Sequence, residues 1–249
     1  MPLPLILKKH EGFYALPLFE PFGVRALFTT RVWDMRFGDP LRTKAYKALR
    51  INGRDIVCPS QVHGDTVAVV AQGHRGRGAY RRATALRETD GLITSEKKLS
   101  LAVLTADCMP VFLYDPKRKV MALVHAGWKG TRKRIIAQAI KKMAKDFSTE
   151  PADLLVALGP SLRRCCYEVG GEFQEYFPGD VQLQGGKFYF DLGGAVLRQL
   201  SESGIAAEHI YDSRICTSCM NHEFFSYRKE GAQAGRSMSL MELEEDVFR

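Results

Sequence analysis

Three closely spaced apolar runs constrain the fold of this chain more than any other feature of its sequence. Residues 101–105, 110–114 and 120–124 consist largely of apolar and β-branched side chains, which are typical of buried strands. Because the connections between them are short, the strands are predicted to run antiparallel. The next segment, 131–147, carries apolar residues at helical spacing and predicts an amphipathic helix.

The remaining segments do not continue as a regular alternation of strands and helices. The predicted elements are strands at 154–158, 188–192 and 224–228, a helix at 195–203, and loops at 73–87 and 176–187. Strands outnumber helices, and neither loop is long or polar enough to separate two domains. The pattern therefore predicts a mixed α/β (α+β) fold, a layered sandwich with mixed sheets in a single domain over 1–249.

Charge and composition narrow the classes of function. The net charge of +8 indicates affinity for anions such as nucleotides, phosphate or nucleic acid. No nucleic-acid-binding motif, dinucleotide fingerprint or Walker A sequence is present, so specific nucleic-acid binding is not predicted. No apolar run reaches the ~18 residues of a membrane span. We expect a cytoplasmic protein whose six cysteines are reduced thiols.

Two histidines and one cysteine stand beside predicted strands and are candidate site residues. His63 precedes an apolar run, Cys108 follows the strand at 101–105, and His125 ends the strand at 120–124. If these two strands share a sheet, Cys108 and His125 meet at one edge. Such a set can hold zinc with one position open. The spacing alone favours a core cysteine and two hydrogen-bonded histidines, and a Cys–His nucleophile pair is a third interpretation.

Several basic and aromatic residues are candidates for contacts with substrate. Arg31 and Arg228 can each bind a phosphate or pair with a structural carboxylate such as Glu168. The run 132–134 places cations in the first turn of the predicted helix, as in an anion site or a solvated face. Trp128 can stack on a purine or belong to the core.

The other cysteines carry a weaker signal. Cys216 and Cys219 form a C-x-x-C motif near His222, which is compatible with a second metal. A single motif of this kind more often indicates a structural thiol pair. Cys165 and Cys166 are adjacent and cannot both point the same way from a strand, so one of them is expected in the core.

Seven sequence blocks occur in an order that resembles a known enzyme family. Three of them contain the candidate site residues: Gln61–Gly64, Thr105–Pro110 and Val124–Thr131. The others are Thr89–Thr94, Leu158–Ser161, Cys166–Gly170 and Phe224–Arg228. Together they resemble the laccase-like multicopper polyphenol oxidoreductase family, whose members are also described as purine nucleoside phosphorylases and as peptidoglycan editing factors.

The resemblance implies a mixed α/β sandwich related to toxin-type cysteine hydrolases. It also implies one metal site, holding zinc or alternatively copper, at His63, Cys108 and His125, which are the expected catalytic residues as well. The expected substrate-binding residues are Arg31, Gln61, Lys129 and Arg228. The implied partners are purine nucleosides and phosphate, and a homodimer is expected.

The implied activity is zinc-dependent phosphorolysis of adenosine, inosine and methylthioadenosine to the free base and ribose 1-phosphate or its 5-methylthio form. Adenosine deamination is implied as well, and Asp90 and Asp107 are candidates for proton transfer. One alternative is a cysteine- or metal-dependent amidase that edits muropeptide precursors. Another is a copper-dependent polyphenol oxidase, which is least favoured because the residues supply one three-ligand set. A non-catalytic protein that binds anions or nucleic acid is supported by charge alone.

Overall fold

The computed structural model describes residues 2–245. The strands are β1 (Leu3–Pro4), β2 (Lys8–His10), β3 (Phe13–Ala15), β4 (Val24–Thr29), β5 (Ile56–Val57), β6 (Val67–Val69), β7 (Gly91–Thr94), β8 (Ser100–Thr105), β9 (Met109–Asp115), β10 (Val120–Ala126), β11 (Leu155–Leu158), β12 (Glu168–Val169), β13 (Val181–Gln184), β14 (Lys187–Phe190), β15 (Ile210–Asp212) and β16 (Ser237–Leu243). The α-helices are α1 (Pro40–Ala48), α2 (Trp128–Arg132), α3 (Ile135–Phe147), α4 (Phe173–Tyr176), α5 (Leu192–Glu202) and α6 (Tyr227–Glu230). Short 3₁₀ turns lie at Pro17–Phe22, Gly53–Asp55, Gln72–His74, Arg82–Thr84, Pro151–Asp153, Ala207–His209 and Gly231–Gln233.

Two mixed sheets form the centre of the molecule. The first has the strand order β1-β15-β11-β9-β10-β7-β6, and the second has the order β2-β3-β4-β16-β8-β5. In the first sheet β9 and β10 are antiparallel whereas β6 and β7 are parallel. In the second sheet β8 is antiparallel to β16 and parallel to β5. The predicted mixed α/β sandwich is therefore confirmed.

Alternating side chains on the central strands divide the interior into layers. On β9, Val111 and Leu113 belong to the core shared with α3 and α5, whereas Phe112 and Tyr114 belong to the core between the two sheets. Beyond the second sheet, Leu104 of β8 shares a third core with α1. The order of layers is helices, first sheet, second sheet and helix.

The three central strands form as predicted, but their arrangement differs. The prediction of antiparallel neighbours is confirmed for β9 and β10. It is wrong for β8, which pairs with β16 in the second sheet. Residues 106–108 therefore cross from one sheet to the other and do not form a hairpin turn. This crossing determines the position of the candidate site.

Three further predictions need correction. The helix expected over 131–147 is divided, because Arg134 has a φ of +63° and the apolar stripe begins only at Ile135. The late strand at 224–228 is absent, because Ser226 accepts a hydrogen bond from the Lys229 backbone N–H and begins α6. The loop at 176–187 contains β13, which pairs with β14.

The second predicted helix is confirmed with earlier bounds. It begins at Leu192, because the Asp191 side chain accepts a hydrogen bond from the Gly194 backbone N–H and caps its N-terminus.

Among residues 2–245, no helix combines the length and the apolar character needed to cross a bilayer.

Candidate active site and metal centre

His63, Cys108 and His125 meet where the two central sheets adjoin. Their ligand atoms all lie within 4.8 Å of one another, and the two imidazole rings are 5.0 Å apart in an edge-to-face arrangement. His125 lies on β10, Cys108 lies in the 106–108 crossing, and His63 lies in the loop between β5 and β6. The expectation that Cys108 and His125 meet thus holds, although the strands before them are in different sheets.

Asp90 holds two parts of this site with one buried carboxylate. It is fully buried and accepts hydrogen bonds from the backbone N–H groups of Val62, His63 and Gly64 at 3.0, 2.9 and 2.9 Å. The same carboxylate lies 2.8 Å from His125 Nδ1. This contact leaves Nε2 as the ring nitrogen of His125 that interacts with Cys108. A carboxylate behind an imidazole in this way fixes the orientation of a metal-ligating histidine.

Asp107 has a different role from Asp90. Its φ is +88°, in the left-handed region that non-glycine residues rarely adopt. One carboxylate oxygen accepts a hydrogen bond from the Thr217 hydroxyl at 2.6 Å, and the other accepts one from the Arg228 backbone N–H at 2.6 Å. Its carbonyl accepts a hydrogen bond from the Leu162 N–H at 2.8 Å. Asp107 therefore holds three loops together beside Cys108.

The site favours a charged pair when no metal is bound. Burial raises the pKa of Cys108, but the neighbouring His125 and His63 outweigh it and bring that pKa down to about 6. Burial lowers the pKa of His125, but Cys108 and Asp90 outweigh it and raise that pKa to about 9. Cys108 is therefore a thiolate near neutral pH, the form that binds metals and acts as a nucleophile.

A glycine gives the ligands room to approach one another. A Cβ atom on Gly127 would lie 2.8 Å from Cys108 Sγ and 3.1 Å from His63 Cδ2. A Cβ on Gly130, one helical turn further on, would lie 2.6 Å from the carbonyl oxygen of Gly64. The Gly127–Gly130 segment therefore packs closely against the His63 loop.

The four residues expected to bind substrate lie in different surroundings. The Gln61 amide donates to the Leu104 carbonyl at 2.7 Å and accepts from its N–H at 2.8 Å, so it ties the His63 loop to β8. Arg31 donates to the Asn221 carbonyl and lies 3.5 Å from the Glu230 carboxylate.

The other two are more exposed. Lys129 lies on the surface at the start of α2, with its amine 5.5 Å from the centre of the Trp128 ring. The Arg228 guanidinium donates to the Glu168 carbonyl at 2.8 Å and lies 5.6 Å from the centre of the Tyr167 ring. Direct contact of any of the four with substrate stays a prediction.

The basic run at 132–134 lies on the surface with partners of its own. Arg132 lies over the Tyr176 ring at 3.6 Å, Lys133 is 3.9 Å from Asp65, and Arg134 pairs with Glu202 at 2.7 Å. Trp128 stacks against Tyr176 and also contacts Phe173. These contacts favour the interpretations of a solvated face and of an aromatic residue packed on the core.

Tyr167 lies near the candidate site, and the chemical argument from sequence missed it. Burial raises the pKa of its hydroxyl, and the nearby Cys108 raises it further. Tyr167 therefore stays protonated at neutral pH. Its only signal in the sequence was its place in the block Cys166–Gly170.

The donor set can hold a metal ion. Imidazole and thiolate ligands suit zinc and copper, and three protein ligands leave a position open as in catalytic zinc sites. His125 is buried whereas His63 is exposed, so the site can be reached from the side of His63.

Comparison with known proteins agrees with this architecture. The crystal structure of YlmD from Geobacillus stearothermophilus superposes with a TM-score of 0.90 at 29% identity, covering 97% of this chain and 100% of that one. Purine nucleoside phosphorylase YlmD of Bacillus subtilis is 36% identical over 76% of this chain and 71% of its own length. Adenosine deaminase RL5, from an unknown prokaryotic organism, is 33% identical over 74% of each chain. The family described as multi-copper polyphenol oxidoreductase laccase matches residues 40–244, and the chain belongs to that family.

Proposed function

We propose that this chain is a zinc-dependent purine nucleoside phosphorylase with its centre at His63, Cys108 and His125. The observation that carries the proposal is the convergence of these three ligands with Asp90 behind His125. The name of the Bacillus subtilis relative supports a purine nucleoside as substrate. Adenosine, inosine and methylthioadenosine are the proposed substrates, cleaved by phosphate to the free base and ribose 1-phosphate or its 5-methylthio form.

His63, Cys108 and His125 would hold the zinc ion, which would supply a Lewis acid to the site. The chain itself fixes the reacting groups. Asp90 stays ionised and orients His125, because its hydrogen bonds with His125 and with the backbone outweigh its burial and keep its pKa low. An ionised Asp90 with four donors is an orienting group and not a proton donor. Tyr167 keeps its proton at neutral pH and is proposed as a hydrogen-bond donor to the substrate.

Phosphate recognition is assigned to Lys129 and Arg228. Lys129 is exposed and follows Gly127 by two residues, and the backbone N–H of Arg228 donates to Asp107, the residue before Cys108. Arg31, which is already paired with Glu230, and Gln61, which is held by Leu104, are proposed to shape the site from its periphery. Two exposed basic side chains suit an anionic co-substrate.

Adenosine deamination is proposed as a second activity of the same centre. The relative RL5, named an adenosine deaminase, supports it. In this reaction water attacks the amino-bearing carbon of the purine ring and ammonia leaves, whereas in phosphorolysis phosphate attacks the anomeric carbon of the ribose and the purine leaves. The two reactions would therefore share the nucleoside but not the basic side chains of Lys129 and Arg228.

A thiol hydrolase is the second candidate, and one observation favours it. Cys108, His125 and Asp90 follow one another in the order of nucleophile, base and orienting acid, and Cys108 is a thiolate near neutral pH. An amidase acting on muropeptide precursors would use this arrangement. A thiol hydrolase needs only one histidine as base, however, whereas the metal centre uses both His63 and His125 as ligands. Copper-dependent polyphenol oxidation is the third candidate and rests on the family name.

The deciding experiment incubates purified protein with adenosine, with and without phosphate, and identifies the products. Adenine with ribose 1-phosphate, formed only with phosphate, is the expected result, together with slower formation of inosine. The Cys108→Ala variant should lose both products, and added zinc should restore activity to chelated wild type. Full activity without metal, or no turnover of any nucleoside, would contradict the proposal.

A cytoplasmic location and a homodimer are proposed as well, and light scattering of the purified protein tests the latter.

A further inference from the structure

Four cysteines outside the catalytic centre come together at a second place. The sulfur atoms of Cys165, Cys166, Cys216 and Cys219 all lie within 4.8 Å of one another. The C-x-x-C motif is therefore not an isolated thiol pair. The expected strand and buried position at 165–166 are also wrong, because both residues lie on a turn and Cys165 is exposed.

We propose that this cluster is a structural zinc site with four thiolate ligands. Sulfur atoms around a tetrahedral zinc, with Zn–S bonds of about 2.3 Å, lie about 3.8 Å apart. The separations of Cys219 from Cys165 and from Cys166 are 3.6 and 3.4 Å. Both are close to the tetrahedral value and far above the ~2.05 Å of a disulfide bond. A tetrahedral set of four sulfurs is typical of zinc or iron–sulfur sites.

Backbone geometry presents the four sulfurs from two turns. Cys166 closes one turn through a hydrogen bond from its N–H to the Arg163 carbonyl at 2.9 Å. Cys216 and Cys219 lie on the other, where the Met220 N–H donates to the Cys216 carbonyl at 2.9 Å. Two closed backbone turns therefore hold the four cysteines.

The same two turns are joined by contacts that do not involve sulfur. Ser161 and Cys216 form a parallel bridge, and the Thr217 N–H donates to the Ser161 carbonyl at 3.0 Å. The Arg163 guanidinium reaches the Asp212 carboxylate at 2.6 and 3.0 Å. The frame that holds the sulfurs is thus already assembled by the protein. Binding of zinc then needs little rearrangement of the chain.

This site would differ in purpose from the catalytic centre. All four ligands come from the protein, which leaves no position for a reactant and defines a structural site. Its effect would reach the catalytic centre through Thr217, which lies inside the C-x-x-C motif and donates its hydroxyl to Asp107. The inference does not depend on which reaction the catalytic centre performs.

The test is the zinc content of protein purified under reducing conditions without chelator. Wild type should contain about two zinc ions per chain, and both Cys108→Ala and the double variant Cys216→Ser/Cys219→Ser should contain about one. Cys58→Ala is the matched control, because this buried thiol belongs to neither cluster, and it should keep both ions. One ion in wild type that is lost completely in Cys108→Ala would overturn the proposal.

A second measurement tests the proposal even if the double variant Cys216→Ser/Cys219→Ser does not fold. Cobalt(II) added to the metal-free Cys108→Ala chain should give the intense sulfur-to-cobalt charge-transfer bands of a tetrahedral thiolate site. X-ray absorption of zinc in the same variant should show sulfur neighbours alone, at about 2.3 Å. The proposal would be overturned if the thiolate bands were absent. It would also be overturned if mass spectrometry of the protein purified under reducing conditions showed disulfide bonds among these four cysteines.

Discussion

The Asp90 carboxylate and His125 Nδ1 lie 2.8 Å apart inside the protein, and the same carboxylate accepts the backbone N–H of His63. One buried side chain thus sets the position of both histidines of the candidate centre. Loss of such a partner behind a metal ligand commonly lowers metal affinity by about 10–100-fold. Asp90 is therefore the residue through which the geometry of the site can be tested without removing a ligand.

Replacement of Asp90 by asparagine should weaken the catalytic centre while the fold persists. The NH₂ of the asparagine amide is a donor and would face the N–H donors that the carboxylate accepts. We therefore expect zinc affinity to fall about 10–100-fold and the free energy of unfolding to fall by about 1–3 kcal/mol. Zinc competition and chemical denaturation measure the two effects. Asp115→Asn is the matched control, because this buried aspartate caps a turn through the N–H groups of Lys117 and Arg118. Equal zinc affinity in both variants would contradict the role of Asp90.

Alkylation of Cys108 should depend on both metal and pH. Zinc should protect the thiol, and in the chelated protein the alkylation rate should rise with pH around a midpoint near 6, because the thiolate is the reactive form. Removal of the positive neighbour in His125→Ala should move that midpoint upward, toward the ordinary value of 9.0. His74→Ala, a histidine outside the site, should not move it. Peptide mass spectrometry after timed labelling measures the alkylation of Cys108 separately from that of the other cysteines. Rapid labelling of Cys108 in zinc-saturated protein would favour the thiol hydrolase.

Replacement of Gly127 by alanine should disturb the ligands through contact alone. Its φ of −87° is open to alanine, but the added Cβ would press on Cys108 Sγ and on the His63 ring. We expect zinc affinity and kcat to fall about tenfold or more, since small displacements of reacting groups are costly. Gly73→Ala, whose Cβ meets nothing within 4 Å, should behave as wild type. Zinc titration and steady-state kinetics compare the two variants, and identical behaviour would contradict the close packing at the centre.

Replacement of Arg228 by glutamine should separate the two proposed reactions. Its backbone N–H can still hold Asp107, so the substitution removes the guanidinium and keeps the loop contact. Loss of a charge-assisted hydrogen bond should raise the KM for phosphate about 10–100-fold, whereas adenosine deamination should change little. Arg134→Gln, which removes an exposed arginine paired with Glu202, is the control. A KM for phosphate that is unchanged in Arg228→Gln would assign phosphate recognition elsewhere.

The elements that sequence reasoning predicted well are those with strong local signals. The apolar runs that became β9 and β10 are continuous and joined by a tight turn, so both their existence and their pairing follow from local pattern. The run before Cys108 is equally apolar, yet membership of a sheet depends on distant strands. Its partner β16 lies more than 130 residues further along the chain, and no local pattern indicates that pairing.

Some features of the candidate site could be predicted from local sequence, and others depend on the tertiary fold. His63, Cys108 and His125 could be named from their places beside strands and from family-like blocks, although spacing alone favoured a simpler interpretation. The position of Asp90 behind His125 depends on β7 lying beside β10, which is a tertiary fact. The assembly of four cysteines depends likewise on two turns about fifty residues apart, with the i to i+3 separation of the C-x-x-C motif as the only local indication.

The crossing at 106–108 has a consequence for the stage of folding at which the proposed metal could bind. Cys108 belongs to the connection between the sheets and His125 to the first sheet, so their approach requires that both sheets have docked. A folding intermediate with only one sheet formed would lack the site, so binding of the proposed metal would follow the docking of the two sheets. Since a ligand that binds only the native state stabilises it by mass action, a bound ion would hold the two sheets together and delay their separation on heating.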